Sequence, residues 1–325
     1  MISPFRCLCV VSALTAALSP SLLADATVKY HTQIETLQGT AISLPLNQAL
    51  GGLRDMVIRI KGNKAYTSQG NLSSIMDLTT HELTLVDAPH KRFASAPTSQ
   101  YTERMKAAVP AVPAQAQEIF ASMKSNLESR STGRTEVIQG VQAEEREFVM
   151  TLDMAMPGGP PTPAPFMKII MQVWSAKPEE AQRVAALQEL KNYTASATVA
   201  MNPADMIKQI TGGLPGFGDS LAAVMKEAGG NGNVALRTHL EVVMPFLALM
   251  GQQLPQQPGR PLAGLDPNAP LMQMTQEVVE LSTDPVDDAL FTVPAEYQPA
   301  SLEEILNGMV PAARPPAPAP TPVAQ

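Results

Sequence analysis

The sequence is poor in cysteine and in aromatic residues, and the cysteine shortage removes several classes of protein. Its two cysteines, Cys7 and Cys9, both lie near the N-terminus. The rest of the chain therefore has no thiol for a disulfide, a zinc thiolate or a nucleophile. Neither cysteine follows the small-residue motif that lipoprotein processing requires. No stretch after residue 26 reaches the roughly 20 apolar residues of a membrane-spanning helix, so we expect no transmembrane segment in the mature chain.

Basic residues are also in the minority. The chain has 23 Lys and Arg against 30 Asp and Glu, which gives a formal charge of −7. No cluster of basic residues interrupts this acidic balance. An acidic chain without a basic patch is unsuited to nucleic acid and to anionic lipid surfaces. We therefore expect no nucleic-acid partner.

Catalytic and metal-binding motifs are lacking as well. The four histidines are spread over the sequence, and none is close enough to another to form a histidine-based metal motif. There is no G-x-S-x-G elbow and no H-E-x-x-H helix. Adjacent carboxylates such as Glu144 and Glu145 would point to opposite faces of a strand, which does not suit paired acid–base work. We expect a non-enzymatic protein without metal or cofactor; carboxylates distant in sequence that meet in space are the alternative.

What the chain does have at its start is the pattern of a secretory signal peptide. Arg6 supplies the positive charge, and the apolar run from Cys7 to Leu18 is too short to span a bilayer. Ala24 and Ala26 are small residues at the two positions that a signal peptidase reads. Cleavage after Ala26 fits this rule best, and cleavage after Ala24 is the alternative. We predict a signal peptide over residues 1–26 and a periplasmic or secreted protein.

The mature chain alternates apolar and polar residues over many short segments, which is the pattern of strands with one exposed face. Gly62 and Asn63 lie between two such segments and predict a tight hairpin. The main predicted strands are Val28 to Glu35, Met56 to Lys61, Lys64 to Thr67, Ser73 to Leu78, Leu83 to Val86, Arg134 to Ile138, Glu145 to Leu152, Lys168 to Trp174, Val234 to Val242 and Met272 to Leu281.

Helical patterns occupy three other regions. Ile119, Phe120, Met123 and Leu127 recur at helical spacing between a proline and a glycine, which predicts an amphipathic helix there. Helix-start and helix-stop signals also cluster over residues 178–230, beginning with Pro178. Further along the chain, Ser301 followed by two glutamates predicts a short terminal helix. We predict one β-rich domain over 27–307 with a helical insertion at about 178–230. Residues 308–325 are rich in Pro and Ala and predict a disordered tail.

Several short segments together resemble a known family. The segments Ile58 to Lys64, Ser74 to Leu78 and Val86 to Phe93 resemble the repeated edge of the lipoprotein-carrier-like periplasmic proteins. The turn from Ile138 to Glu144 and the segment from Phe291 to Tyr297 resemble an "I-x-G-x-x-A-x" turn and a closing "F-x-V-P-x-x-Y" signature of related secreted proteins. The resemblance implies an α+β fold: a curved antiparallel β-sheet, or half-open barrel, with helices covering its concave face and an apolar cavity between.

That family includes carriers of lipoprotein acyl chains and other lipid binders, so the leading hypothesis is a protein that binds a lipid or an acyl chain. A curved sheet beneath amphipathic helices presents two apolar surfaces that need not pack fully against each other. The alternatives are a dry core filled by the same side chains, and a structural or regulatory module that engages an envelope protein through its surface or tail. The candidate cavity-lining residues are Phe120, Met123, Ile169, Met171, Val173, Leu187, Leu190, Leu236, Leu240 and Met274.

Overall fold

The computed structural model describes residues 25–36, 55–108, 123–154, 165–201, 216–229, 233–246 and 266–309. In these ranges twelve strands form one open sheet. The strands are β1 (Ala26–Thr36), β2 (Met56–Lys61), β3 (Lys64–Gln69), β4 (Leu72–Asp77), β5 (Glu82–Asp87), β6 (Arg92–Pro97), β7 (Met123–Ile138), β8 (Val141–Met154), β9 (Met167–Ala176), β10 (Ala235–Val243), β11 (Met272–Ser282) and β12 (Gln298–Pro299).

Five helices accompany the sheet in the described part of the chain. They are α1 (Thr98–Ala108), α2 (Pro178–Arg183), α3 (Ala185–Met201), α4 (Phe217–Gly229) and α5 (Leu302–Met309), with a 3₁₀ turn at Asp288–Phe291. The fold class is therefore α+β, as the sequence predicts. None of the helices in these ranges combines the length and the apolar character needed to cross a membrane.

The sheet consists of two meanders that share one seam. Its order is β12-β6-β5-β4-β3-β2-β1-β11-β10-β9-β8-β7, so β1 to β6 are sequential neighbours and so are β7 to β11. The first strand joins the two by pairing with β2 on one side and β11 on the other. Every pairing is antiparallel except that of β12 with β6. The predicted antiparallel sheet is thus confirmed, with one short parallel strand added at its edge.

Local turn chemistry explains the hairpins of the first meander. Gly62 has φ of +58° between β2 and β3, a conformation that side chains with a Cβ rarely adopt. The predicted hairpin at Gly62 and Asn63 is confirmed by the pairing of Lys61 with Lys64. The same logic applies at Gln139 and Gly140, which both have positive φ between β7 and β8. Two consecutive left-handed residues match the twist of the strands they join.

The helix predicted between Pro113 and Gly133 is wrong where the structure describes it. Met123 to Gly133 belong to β7, which pairs with β8 from Met123 to Ile138 with a bulge between Ser131 and Thr135. Met123 and Leu127 are four residues apart, and that even spacing satisfies a strand as well as a helix. Residues 113–122, including Phe120, lie outside the described residues.

Strands β4 to β6 of the first meander are packed on both faces. Ile75 and Val86 lie under Val286 and Phe291 in one buried cluster. Their neighbours along the strands point the other way, where Met76, Leu83, Leu85 and Ala94 pack with Leu302 and Ile305 of α5. The predicted short terminal helix is present as α5, and it begins with a capping box: Ser301 Oγ accepts from the Glu304 amide at 3.1 Å, and Glu304 Oε2 accepts from the Ser301 amide at 2.9 Å.

The central core lies at the seam between the meanders. Val28 of β1, Ile60 of β2 and Val278 of β11 are each at most 1% exposed. They belong to the same buried cluster as Leu187 and Leu190 of α3. The helices α2, α3 and α4 lie in the region of the predicted helical insertion, of which residues 202–215 and 230 are outside the described residues. Gly308 and Met309, which the prediction assigns to the disordered tail, belong instead to α5, and residues 310–325 lie outside the described residues.

Candidate functional site

The candidate site is a set of apolar side chains that the register lines up across five neighbouring strands. In an antiparallel sheet, directly opposed residues project to the same face. Ile34 of β1 opposes Met274 of β11, Met274 opposes Leu240 of β10, Leu240 opposes Met171 of β9, and Met171 opposes Phe148 of β8. A row over five strands spaced as in ordinary sheets is about 19 Å long.

A second apolar row lies beside the first on the same face. It is formed by Met272, Val242, Ile169 and Met150, again in direct opposition from β11 to β8. We call the two rows together the apolar strip. Phe148, Met150 and Met272 are buried, whereas the other members are only partly buried: Ile34, Met274, Leu240, Met171, Val242 and Ile169.

A polar row separates the apolar strip from the central core. Two residues before Ile34, Thr32 opposes Gln276, which in turn opposes Thr238 of β10. The Gln276 side-chain amide donates to Thr32 Oγ1 at 3.3 Å. Beyond this row the face continues into Val278 and Leu236, which are completely buried in the central core. The same sheet face is thus apolar and filled at one end, polar in the middle, and apolar and partly open at the other.

The helix α4 packs at one end of the apolar strip. Its Val224 forms a buried cluster with Phe148 and Val173, and Met171 packs against the edge of that cluster. Ser125 Oγ of β7 and Ser220 Oγ of α4 are 2.9 Å apart, which fixes the helix on the strand. The strip therefore ends against a helix at β8 and extends from there toward β1.

The structure divides the ten predicted cavity-lining residues between different places. Ile169, Met171, Leu240 and Met274 come together in the apolar strip. Leu187, Leu190 and Leu236 instead fill the central core, and Val173 is buried beneath α4. Met123 is 4% exposed on β7. Phe120 lies outside the described residues.

Sequence reasoning missed several members of the strip. Ile34, Val242 and Met272 lie in strands whose alternation was recognised, and Met272 shares β11 with Met274. The pairing of β10 with β11 places Val242 beside Met272, and the pairing of β1 with β11 places Ile34 beside Met274. Those strands are more than 200 residues apart in sequence. No local pattern specifies that pairing. The sequence pattern could have identified Phe148, because this residue alternates with Glu147 and Val149 in a predicted strand.

The opposite face of the same strands carries a network of ion pairs. Arg237 of β10 donates to both Glu136 carboxylate oxygens at 2.6 and 2.9 Å, and its Nε donates to Glu277 at 2.5 Å. Its guanidinium carbon lies 5.3 Å from the ring centre of Trp174, a cation–π distance. Glu136 is on β7, with β8 and β9 between it and β10, so this ion pair is consistent with a curved sheet.

The charges in this network stabilise one another. The hydrogen bonds from Arg237 hold the pKa of Glu136 below its usual value, and they outweigh the opposing effect of burial. Hydrogen bonds to Glu136 and Glu277 likewise raise the pKa of the Arg237 guanidinium. Because Arg237, Glu136 and Glu277 are hydrogen-bonded to one another, we interpret the network as a structural feature of the sheet.

A second acidic group is buried beside the bulge of β7. Glu145 is 1% exposed and accepts a hydrogen bond from Thr132 Oγ1 at 3.1 Å, and it forms an ion pair with Arg134. Gly133, between these two partners, has φ of +73°, which allows both neighbours to reach one carboxylate. A fully paired carboxylate in this position is a fixed structural element, since removing a partner from a buried pair costs about 3–5 kcal/mol.

A small polar cleft of about 110 Å³ lies next to this carboxylate. Its lining includes two further ion pairs, Lys177 with Glu144 at 2.9 Å and Arg146 with Glu227 of α4. The charges of the cleft are thus paired with each other. Within the described ranges, no three His, Asp or Glu residues come together in an arrangement that would hold a metal ion.

The two predicted signal-peptide positions differ in their setting. Ala26 is the first residue of β1 and its side chain is completely buried. Ala24 lies outside the described residues. Asp25 between them is partly exposed, and its Oδ2 accepts a hydrogen bond from the Val286 amide at 2.7 Å.

Comparison with known proteins adds little to this geometry. No protein-family model matches the chain, and no curated protein matches its sequence. Among solved structures, the chain is similar to one described as "Structure of PNGF-II in C2 space group", with 8% sequence identity and a TM-score of 0.30. The alignment covers 88% of this chain and 32% of that chain. A likeness this slight carries no conclusion.

Proposed function

We propose that the protein is exported to the bacterial cell envelope and binds a lipid or another ligand with an acyl chain on the apolar strip. The observation that supports this most is the alignment of Ile34, Met274, Leu240 and Met171 on neighbouring strands, each partly buried. Apolar area that a ligand removes from water contributes about 25 cal/mol per Å². An extended chain lying along the row would gain this contribution from every strand it crosses.

The composition of the strip suits an acyl chain. Methionine side chains are flexible and polarizable, and they adapt to ligands of varying shape. Met274 and Met171 flank Leu240 in the first row. An acyl chain lying there would therefore contact a flexible methionine on each side of the branched leucine. No charged residue belongs to either row.

The neighbouring polar row gives the proposed ligand a direction. Thr32, Gln276 and Thr238 follow the strip on the side of the central core. Hydroxyl and amide groups would hydrogen-bond a polar head, while the apolar end of the ligand would lie over the strip. The proposal therefore favours an amphipathic ligand with one long chain over a purely apolar one.

The resemblance to lipoprotein-carrier-like proteins supports the same function and supplies the finer architecture. In this proposal the sheet is a half-open barrel whose concave face is covered by helices. The α3 and α4 helices pack at two ends of the face that carries the strip, which fits a groove between them. The protein acts by binding, without catalysis, metal or cofactor.

Titration with a fluorescent fatty acid, followed by displacement with an unlabelled one, tests the proposal. We expect saturable uptake by the wild-type protein. The double variant Met171→Gln/Met274→Gln keeps side-chain length but makes the row polar, and it should bind at least about tenfold more weakly, a change of ~1.4 kcal/mol.

The matched control is on β1, where neighbouring residues face opposite sides. Ile34→Gln alters the strip and should weaken uptake, whereas Gln33→Ala alters the other face and should leave it unchanged. Thermal unfolding of each variant shows whether the fold is intact. A wild-type protein that takes up no fatty acid, or equal uptake by folded Ile34→Gln and Gln33→Ala, would contradict the proposal.

A second candidate is an envelope module that binds another protein. The observation in its favour is that the 16-residue strand β7 ends the sheet order, and an edge strand of that length can accept an added strand. A wild-type protein without lipid uptake, in which a photo-reactive residue at Asn126 captures a defined envelope protein, would favour this candidate instead.

A further inference from the structure

Asp25 and Ala26, the first two residues that the structure describes, are built into the fold. The Ala26 side chain is completely buried, and the residue pairs with Ile60 of β2. It belongs to the same buried cluster as Val28 and Leu187. Because β1 is the strand that joins the two meanders, its first residues contribute to the seam of the whole sheet.

Asp25 helps to fix a distant segment. The Val286 amide donates to Asp25 Oδ2 at 2.7 Å, and the Val286 carbonyl accepts from Lys61 Nζ at 2.9 Å. Lys61 also forms an ion pair with Asp288 at 2.9 Å. Val286 is 4% exposed and begins the segment that packs Phe291 over the first meander. One peptide segment is therefore held by Asp25 on one side and Lys61 on the other.

A chain that began at Thr27 would lose these contacts and would carry a positive charge at a buried position. Thr27 is 8% exposed and pairs with Arg59 of β2 and Ser282 of β11. A new α-ammonium group on Thr27 would lie between two strands, where an unpaired charge is strongly unfavourable. A new α-ammonium on Asp25 would lie at a partly exposed position before the sheet begins.

We propose that the exported chain is processed between Ala24 and Asp25, and not after Ala26. The inference rests on the proposed export. In this step a signal peptidase adds water across the Ala24–Asp25 amide, which leaves a carboxylate on Ala24 and an α-ammonium on Asp25. Ala24 is the small residue directly before this cut, whereas Leu22 occupies the other position that the enzyme reads. The small-residue rule alone favours Ala26, but the product it predicts lacks two residues of the folded sheet.

The direct test is the intact mass of the protein recovered from the periplasm of a Gram-negative host that expresses the full chain. The expected mass is that of a chain beginning at Asp25. A mass lower by one Asp and one Ala residue, which means a start at Thr27, would overturn this inference and leave the proposed export standing. An uncleaved chain retained in the cytosol would overturn both.

A second measurement tests the structural reason separately. Chains beginning at Asp25 and at Thr27 can be released from a cleavable fusion partner and compared by thermal unfolding. The Thr27 chain should melt at least about 4 °C lower, because it has lost the buried Ala26 and the Asp25 hydrogen bond. Equal melting temperatures would overturn the argument that residues 25 and 26 belong to the folded domain.

Discussion

The two meanders of the sheet differ in how their faces are covered. In the first, β1 to β6, strands β4 to β6 are packed on both sides, with Phe291 over Ile75 and Val86, and with α5 over Met76 and Leu85. The second, β7 to β11, carries ion pairs on one face and a partly buried apolar strip on the other. Both are antiparallel, but tight turns join the successive strands from β2 to β6, whereas α2, α3 and α4 lie between β9 and β10.

This difference distinguishes apolar side chains that are buried and stabilise the fold from apolar side chains that stay partly exposed and can bind a ligand. Burial of apolar side chains stabilises a sheet, since apolar area removed from water is the main favourable term in folding. Apolar side chains that stay partly exposed contribute less to folding and remain available to a ligand. We therefore expect substitutions in the first meander to cost stability, and substitutions in the apolar strip to cost binding.

The largest effect is expected from uncovering one face of the first meander. Phe291→Ala removes the ring that packs over Ile75 and Val86, and it should lower the free energy of unfolding by about 3–5 kcal/mol. Urea denaturation measures the change, with Val279→Ala as control because Val279 is 45% exposed. A loss below about 1 kcal/mol for Phe291→Ala would mean that this face needs no cover.

A matched pair of leucines compares the two meanders directly. Leu85 is 4% exposed in the first, whereas Leu240 is only partly buried in the apolar strip. Leu85→Ala should cost about 2–4 kcal/mol of unfolding free energy and Leu240→Ala less than half of that. Only Leu240→Ala should weaken fatty-acid uptake when both proteins are folded. Equal losses of stability would contradict the distinction between the meanders.

The ion-pair face of the second meander should give a smaller and pH-dependent effect. Arg237→Met removes the partner of Glu136 and Glu277, and it should cost about 1–3 kcal/mol at neutral pH. Because the folded pKa of Glu136 is lowered, its contribution is present above the ordinary carboxyl pKa and is lost as the pH falls through the folded value.

The difference in stability between wild type and Arg237→Met should therefore shrink below about pH 4. Denaturation at several pH values measures this trend. Fatty-acid uptake should be unchanged at neutral pH, since Arg237 lies on the face opposite the strip. A difference that stays constant from neutral to acidic pH would show that the ion pairs do not cause it.

The smallest effect is expected at the cap of α5. Ser301→Ala removes the hydroxyl that accepts from the Glu304 amide, and it should cost about 1 kcal/mol. The conservative variant Ser301→Thr retains a capping hydroxyl and serves as control. If Ser301→Thr loses as much stability as Ser301→Ala, the hydroxyl does not stabilise the helix.

Much of the fold follows from local patterns in the sequence. Alternation in Val28 to Glu35 and in Met272 to Leu281 predicted strands that the structure contains, because a half-buried strand needs that period. The helix prediction for residues 123–133 was wrong because the spacing of Met123 and Leu127 fits a helix and a strand equally well. The β1–β11 pairing had no local signal, since it joins the two ends of the domain.

The candidate site was predictable only in part for the same reason. Met171, Leu240 and Met274 were recognised as apolar positions of three strands, and the register brings them together. Leu187 and Leu190 were assigned to the same surface, but α3 packs them on β1 and β11 near Val278, on the far side of the polar row. The position at which a helix packs on a sheet depends on the whole topology. The periodicity of the helix carries no information about that position.

The central claim is that the apolar strip is where a ligand binds. The most direct measurement is photo-crosslinking with a fatty acid that carries a diazirine near its methyl end, followed by peptide mapping of the adducts. We expect adducts on Met171, Leu240 or Met274, and their loss when an unlabelled fatty acid competes. Adducts confined to the ion-pair face, or labelling that competitor does not reduce, would contradict it.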